Sequence, residues 1–378
     1  MSAGAERWNT YVQASGAGLR SMLTAHLAEK ERDVVFILGK GFDPRMNLGL
    51  RMALDAGGVG RREVIVLEFD EGPESPSQTY SSRVEENFKV LTEIVQTPYQ
   101  LSRRTLQMFS PEGRRLTSRS SEGHIRDLAE FGNATDIVVD VSSLPRGIFF
   151  PLIAKLLHLI DNVTDPRLRP NLVVIVAENA AMDSLIAEAE IDEDADYLHP
   201  FRGTAEREAT ASHPKVWFPI LGEGQKIQLT RINDLIRPDE ICAVLPSPSL
   251  DPRRGDNLIL EYRELLFDEL RVEPRNFVFA SELNPFEAYR QLRRAIVHYT
   301  KALGPLGGCR SIVTSVSSKL LSLGGLLAAY ELKREKFDVS VAHIEASGYR
   351  IEGGATFDAK VGETTLYGLW LTGEFYAN

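Results

Sequence analysis

Two sets of glycine, serine, aspartate and basic residues in this sequence suit a phosphate group. The first set is Gly39, Lys40, Gly41, Asp43, Arg45, Asp140, Ser142, Ser143 and Arg146. The second is Ser247, Ser249, Asp251, Arg253, Arg254, Thr314, Ser315, Ser317, Ser318 and Lys319. Hydroxyls and backbone amides at a helix N-terminus donate hydrogen bonds to phosphate oxygens, and arginine binds phosphate through two parallel hydrogen bonds. The two sets therefore predict two phosphate-binding sites.

Each of these residues also has a purely structural interpretation. A Ser-Ser pair before a helix commonly caps that helix, and Asp-Pro-Arg forms tight turns in which the aspartate binds the backbone. A different alternative is an enzyme, a nucleotide hydrolase or glycosyltransferase, in which Asp43, Asp140 or Asp251 supplies the acid, base or nucleophile. A third is a structural subunit of a larger complex.

Most stock motifs are absent. Gly39 and Gly41 begin a G-x-G-x-x-G pattern, but Pro44 stands at the third glycine position, and no G-x-x-x-x-G-K-[ST] occurs. The seven histidines have no metal-binding spacing, so we expect neither a metal nor a cofactor. Ser315 and Lys319 are one residue too far apart for a Ser-x-x-Lys dyad.

Apolar runs alternate with helical patterns in both halves, which predicts an α/β fold of tandem duplicated Rossmann-like domains with mainly parallel sheets. Asp-Pro-Arg follows the first predicted strand of each half, after 34–38 and after 241–245, and Val-Ser-Ser ends the third. Because ligands of open parallel sheets bind beyond the carboxyl ends of the strands, both strings lie where a site is expected. The C-terminal residues 367–377 predict a strand or β-hairpin added to the second sheet.

These patterns divide the chain into four parts. They are an N-terminal helical segment (1–30), a first Rossmann-like domain (31–186), an acidic irregular linker (187–238) and a second Rossmann-like domain (239–378). The first domain holds an Arg/Ser-rich insertion at 97–130, whose arginines are Arg103, Arg104, Arg114, Arg115, Arg119 and Arg126. This insertion could be a solvated loop, a lid over a phosphate ligand, or a contact to nucleic acid.

The bulk composition excludes several classes of protein. A chain of 378 residues with 43% hydrophobic residues is long enough for two cores. The formal charge of −10 argues against a general polyanion binder, so we expect nucleic-acid contact only through the 103–126 loop. Two cysteines, no leader pattern and no long apolar segment predict a cytoplasmic protein without a membrane anchor.

The stretch TSVSSKLLSLGGLLAAYEL (314–332) resembles the loop and small-residue helix of CARF domains, with Lys319 near the lysine of that family. DVSSLPRGIFFPLIAKLL (140–157) is similar in shape. The resemblance implies a Rossmann-like fold and a cyclic oligoadenylate ligand. SAVED proteins fuse two CARF-like units, so it further implies one ligand held between the two halves. The implied role is that of a regulatory sensor in prokaryotic antiviral defence, acting on a protein partner that carries the effector activity.

Overall fold

The fold is described by a computed structural model that covers residues 6–72, 75–110, 115–203 and 212–376, without the side chains at 189, 190, 347 and 355. Its strands are β1 Val12–Ser15, β2 Val34–Gly39, β3 Arg62–Asp70, β4 Gln100–Gln107, β5 Asp136–Asp140, β6 Asn171–Glu178, β7 Ile186–Ile191, β8 Asp196–Tyr197, β9 Lys215–Ile220, β10 Glu240–Ile241, β11 Val244–Pro246, β12 Val278–Ala280, β13 Arg310–Ser315, β14 Val339–His343, β15 Ala346–Ile351 and β16 Thr365–Trp370. Its α-helices are α1 Gly16–Glu29, α2 Leu48–Asp55, α3 Ser81–Ile94, α4 Thr117–Gly123, α5 Arg146–Asp161, α6 Ala180–Asp183, α7 Lys226–Ile236, α8 Arg254–Glu261, α9 Pro285–Ala302, α10 Lys319–Arg334 and α11 Ala355–Ala359.

The chain forms two compact units. The first unit comprises Tyr11–Glu190 and Ala346–Asn378, and the second comprises Met1–Thr10 and Ile191–Glu345. Among the described residues, no helix is both long and apolar enough to cross a membrane.

The first unit is built on a sheet with the order β1-β16-β6-β5-β2-β3-β4. The five strands from β6 to β4 are parallel, and β16 pairs antiparallel with both β6 and β1. Apolar residues of α1, α2 and α3 cover one face, where Leu23, Leu50 and Leu91 pack against Phe36. Ile148 and Leu152 of α5 lie against Ile37 on the other face. With helices on both faces, this is a doubly wound sheet.

The second unit repeats this design. Its sheet has the order β12-β11-β9-β13-β14-β8, with β10 beside β9, and only β8 is antiparallel. Leu229 and Ile232 of α7 pack against Trp217 on one face. On the opposite face, α10 approaches β9 so closely at Gly325 that an added methyl group would press on Ile220.

Both units therefore carry five parallel strands in the order 3-2-1-4-5 of the Rossmann fold, and the predicted fold class is confirmed. In this order β9 is equivalent to β2, β11 to β3, β12 to β4, β13 to β5 and β14 to β6. The strand order reverses between β2 and β5 in the first unit and between β9 and β13 in the second. Those two points are where a ligand crevice is expected.

The prediction of an irregular linker over 187–238 is wrong. This segment contains β9, the central strand of the second sheet, and α7, which follows it. Tyr197 and Asp196 of the same segment form the edge strand β8. The second Rossmann-like unit thus begins near Ile191 rather than at residue 239.

Two further predictions are corrected by the sheet topology. The C-terminal strand β16 joins the first sheet, not the second, and no described pairing makes it a hairpin with β15, which pairs with β7. The Arg/Ser-rich stretch 97–130 is not a simple insertion, since it supplies the third-position strand β4 and helix α4. Arg114 lies outside the described residues.

Candidate ligand sites at the carboxyl edges of the two sheets

The loop after β2 closes against the loop after β5. The Ser143 hydroxyl donates a 2.7 Å hydrogen bond to the carbonyl of Gly39. A side chain at Gly39 would overlap Leu144, and one at Gly41 would touch the Cβ of Ser143 at 3.4 Å. Glycine at position 39 therefore lets the two loops meet at the point where the strand order reverses, while a side chain at position 41 would make only an ordinary van der Waals contact.

Gly41 lies partly exposed in this crevice. Its N–H faces the thioether of Met46, with N and Sδ 3.5 Å apart, and a thioether is a weak acceptor. Its carbonyl accepts a 3.0 Å hydrogen bond from the Asn87 side chain of α3. The loop is thus fixed through its carbonyls, while the amide of Gly41 has only a weak acceptor in front of it.

Lys40 supplies a positive charge in this loop. Its ammonium lies 2.6 Å from Glu85 and 3.3 Å from Glu68, and it lies over the ring of Phe88. Arg103 binds the same Glu68 carboxylate, with the closest atoms 2.6 Å apart. Burial alone would raise the pKa of Glu68, but the hydrogen bonds from Arg103 and Lys40 lower it below its ordinary value. This cluster keeps Lys40 beside the loop.

Arg45 does not face an open crevice. Its guanidinium is 3% exposed and contacts the Asp43 carboxylate, the closest atoms being 2.7 Å apart, and Asp183 at the same distance. Burial would lower the pKa of Arg45, but Asp43 and Asp183 raise it above its ordinary value. Asp43 and Arg45 therefore neutralise each other inside the turn, and neither lies where the sequence analysis expected a phosphate ligand.

The predicted residues of the first set are either buried beneath the two loops or partly exposed beside them. We call the partly exposed ones the rim of the crevice, which consists of Lys40, Gly41, Ser143 and Arg146. Asp140 and Ser142 are buried, where Asp140 accepts from the Ser142 N–H at 2.9 Å and the Ser142 hydroxyl accepts from the Ala177 N–H at 2.9 Å. Asp140 also excludes any side chain at Gly49, which would overlap its carboxylate. Arg146 begins α5 and is partly exposed. Only the rim is placed to contact a ligand.

The second unit repeats the meeting of the two loops. Gly222 follows β9, and a side chain there would overlap the carbonyl of Val316 and the Cα of Ser317. The Tyr262 hydroxyl donates a 2.5 Å hydrogen bond to the Gly222 carbonyl, and in the first unit the Ser143 hydroxyl donates to the carbonyl of the equivalent Gly39. Burial raises the pKa of Tyr262, so this phenol remains a donor at neutral pH.

The serines and the lysine of the second set serve mostly local structure. The Ser315 and Ser322 hydroxyls lie 2.7 Å apart, and the Ser318 hydroxyl caps α10 by accepting from the Leu321 N–H. Ser317 is buried, and Lys319 begins α10 with partial exposure. Ser318 confirms the helix-cap interpretation that the sequence left open.

The repeat of Asp-Pro-Arg is a turn motif and does not mark equivalent sites. Asp251 accepts from the Arg253 N–H at 3.0 Å, and the nearby Ser249 hydroxyl donates to the Asp251 carbonyl, but this turn follows β11, the second-position strand. A third copy, Asp165-Pro166-Arg167, makes the same 3.0 Å bond just before β6, at the opposite edge of the first sheet. The predicted equivalence of Asp43 and Asp251 is therefore wrong.

A glycine string that is not among the predicted repeats occupies equivalent positions in the two units. Ile-Leu-Gly-Lys-Gly (37–41) follows the first-position strand of the first unit, and Ile-Leu-Gly-Glu-Gly (220–224) follows that of the second. Each lies against a Val-Ser-Ser loop, at 141–143 and 316–318. A search for repeated pentapeptides with one mismatch would have found it.

A charged cluster at the opposite, amino edge of the first sheet is structural. The ring of His26 lies 2.6 Å from Asp136, and the buried Arg32 guanidinium lies 2.9 Å from Glu374 and 3.0 Å from Glu29. Donor atoms of His26, Glu29 and Glu374 lie within 4.8 Å of one another in the described part of the chain, a spacing that could hold a metal ion. Because Arg32 already binds both glutamates, its guanidinium supplies the positive charge in this cluster.

This cluster predicts an acid-sensitive fold. The Arg32 hydrogen bond lowers the pKa of Glu374 from 4.5 to about 2, so its ion pair stabilises the fold above pH 4.5 and is lost as the pH falls toward 2. We expect Glu374→Gln to remove about 1 kcal/mol of stability at pH 7, because Glu374 is 42% exposed and solvent screens the pair. Urea unfolding at pH 7 and pH 3 measures this, and equal destabilisation at both would contradict it.

Two cavities of the first unit lie away from the carboxyl edge. One lies between the sheet and α4 and α5, and the other under α1 beside Asp136 and Trp370. Their walls include none of the predicted site residues. Neither cavity is therefore part of the candidate site.

The chain matches no protein-family model and no curated protein. Solved structures that it resembles include a functionally unknown protein from Pseudomonas aeruginosa PAO1 (9% identity, TM-score 0.23, covering 91% of this chain and 99% of that chain). Others are a universal stress protein from Archaeoglobus fulgidus DSM 4304 (12%, 0.22, 84% and 97%) and an uncharacterized protein from Mycobacterium paratuberculosis (11%, 0.21, 82% and 79%). Likeness at such TM-scores carries no argument about function. The resemblance to CARF and SAVED domains, and the single shared ligand that it implies, remain predictions.

Proposed function

We propose that this protein binds a phosphate-bearing nucleotide at the carboxyl edge of the first unit and acts as a cytoplasmic regulatory protein. The observation that carries the proposal is the glycine loop 39–41, which closes against Ser143 at the reversal of strand order with the Gly41 N–H turned toward a thioether. Phosphate oxygens are far stronger acceptors than a thioether, and Lys40 adds a positive charge beside the loop.

Binding fits the geometry better than catalysis does. Of the three predicted catalytic aspartates, Asp43 is held by Arg45, Asp140 is buried below the rim and accepts from Ser142, and Asp251 caps an exposed turn in the other unit. None of the three lies on the rim of the first crevice. A regulatory role requires a protein partner that carries the effector activity.

We expect a true ligand to stabilise the protein in a thermal-shift screen of AMP, ADP, ATP, cyclic dinucleotides, cyclic oligoadenylates and inorganic pyrophosphate. At one hundred times its dissociation constant, a ligand adds about 2.7 kcal/mol. Lys40→Ala should weaken binding about tenfold, since it removes one charge-assisted contact. Lys89→Ala is the matched control, because Lys89 is exposed on α3 in the same unit.

A panel without any stabilising compound would overturn the proposal and favour the structural-subunit alternative. Equal loss of binding in the Lys40 and Lys89 variants would show a general charge effect and would place the ligand elsewhere. Turnover of the bound nucleotide, detected by chromatography of the incubated mixture, would favour the enzyme.

A further inference from the structure

The two glycine loops differ in what their amides contact. In the second unit, the Gly224 N–H donates a 2.7 Å hydrogen bond to the carboxylate of Glu261. The next amide, of Gln225, donates a 2.8 Å hydrogen bond to the hydroxyl of Tyr262. Both acceptors come from the C-terminal end of α8. In the first unit, the corresponding amide, that of Gly41, faces the thioether of Met46, the one acceptor described for it within the residues that the structure covers.

A carboxylate bound to a glycine-loop amide at the start of a helix occupies the position that a phosphate oxygen would take. Glu261 is part of the chain, so it competes with any free anion at an effective concentration in the millimolar range or above. A ligand that binds this loop must first displace Glu261. The first loop has no such internal anion among the contacts described for it.

The two loops also differ in the charge of their central residue. The residue between the two glycines is Lys40 in the first loop and Glu223 in the second. Arg254 neutralises Glu223 through two hydrogen bonds of 2.6 and 2.7 Å and also binds Glu282. Glu223 and Glu282 thus both bind Arg254, and Glu261 adds a further negative charge at the Gly224 amide.

We propose that the second loop is closed to anionic ligands by the carboxylate of Glu261, so that the protein binds one ligand per chain, in the first unit. This inference rests on the proposed function, and it assigns that function to one of two duplicated loops. Glu261 is then the residue that determines which loop accepts a phosphate.

Amide NMR of the full-length, deuterated protein titrated with inorganic pyrophosphate tests this directly. In the wild type we expect the Gly41 resonance to shift, while Gly224 and Gln225 do not. In Glu261→Ala we expect Gly224 and Gln225 to shift as well, at pyrophosphate concentrations that leave both resonances unchanged in the wild type. Glu264→Ala is the matched control, because it removes a nearby glutamate whose side chain is 82% exposed.

Each outcome decides between the alternatives. Shifts of Gly224 and Gln225 in the wild type, or their absence in Glu261→Ala, would overturn the inference, and an equal response in Glu264→Ala would do so as well. Glu261→Gln gives the same readout if the alanine variant is poorly folded, since the amide keeps an acceptor but loses the charge. If the Gly41 resonance does not shift, the proposed function is contradicted but the closure of the second loop is not, because the two loops are observed separately.

Discussion

Replacing Arg45 by alanine is expected to destabilise the first unit by about 3–5 kcal/mol, because it leaves a buried charge without its partner. Asp43 is 8% exposed in its side chain, and three guanidinium–carboxylate contacts of 2.7 to 3.1 Å join it to Arg45. Arg45 also joins the turn to Asp183, so its loss loosens the connection to α6. The measurement is urea unfolding followed by hydrogen exchange of peptides that cover 43–50 and 177–183.

The chain contains its own control for this experiment. Arg167 occupies the same position of the same tripeptide and contacts Asp165 at 2.9 Å, but its side chain is 82% exposed. We expect Arg167→Ala to change stability by less than about 0.5 kcal/mol, since exposed ion pairs contribute little. Similar losses in the two variants would mean that the tripeptide turn, and not burial of the ion pair, stabilises this region.

This pair of variants also bears on how the ligand site is tested. A loss of nucleotide binding in Arg45→Ala would follow from disruption of the turn next to the Gly39–Gly41 loop, whether or not Arg45 touches a ligand. Lys40→Ala needs the same check, because the Lys40 side chain is 10% exposed and pairs with Glu68 and Glu85, so unchanged urea unfolding of this variant is required before a loss of binding is assigned to the ligand contact. A side chain that is predicted to bind phosphate must therefore be checked for burial before its replacement is interpreted.

Most strands could be predicted from the sequence because parallel strands buried on both faces are continuous apolar runs. The strand Asn171–Glu178 contains a run of this kind, the six apolar residues 172–177. Asn284 followed by Pro285 is a typical helix start, and the Asn284 side chain accepts from the amides of Phe286 and Glu287 at the start of α9. Apolar runs and helix caps of this kind can therefore be recognised in the sequence and correspond to elements of the folded chain.

The central strand β9 was missed for a physical reason. Pro219 lies near its end, and proline has no N–H to give to a strand ladder, so a proline argues against a central strand. The acidic residues before it favoured a solvated linker. Missing β9 shifted the alignment of the two halves by one strand, and this made Asp251 look equivalent to Asp43. Only the sheet order reveals the error.

The residues of the C-terminal strand do not show which of the two sheets it joins. The alternation in Thr365–Trp370 predicts a strand with two different faces, but it carries no information about which sheet edge it joins. The pairing is decided by distant residues, with Tyr367 opposite Val176 on one side and Ser15 on the other. Gly368 fits here because any side chain would overlap Leu19 of α1.

The sequence also does not show which unit the N-terminal residues pack on, and their packing gives the second prediction of a large loss of stability. Replacing Trp8 by alanine is expected to destabilise the second unit by about 3–5 kcal/mol, the range for loss of a buried large aromatic side chain. Trp8 is 0% exposed, and its ring packs edge-on against Tyr289 with centroids 5.1 Å apart. The neighbouring Arg7 N–H donates a 3.0 Å hydrogen bond to Glu331, which also accepts from the Tyr289 hydroxyl.

Hydrogen exchange localises this effect. We expect Trp8→Ala to lower protection in α9 and α10, where Phe286, Tyr289 and Glu331 contact the N-terminal segment, while β2 and β5 keep theirs. Trp8→Phe should recover part of the loss, because a smaller ring still fills some of the space against Tyr289. Unchanged protection of α9 would show that the N-terminal segment rests on the second unit without stabilising it. Equal loss in both units would mean that they unfold together, and the assignment of residues 6–10 to the second unit would then have no energetic meaning.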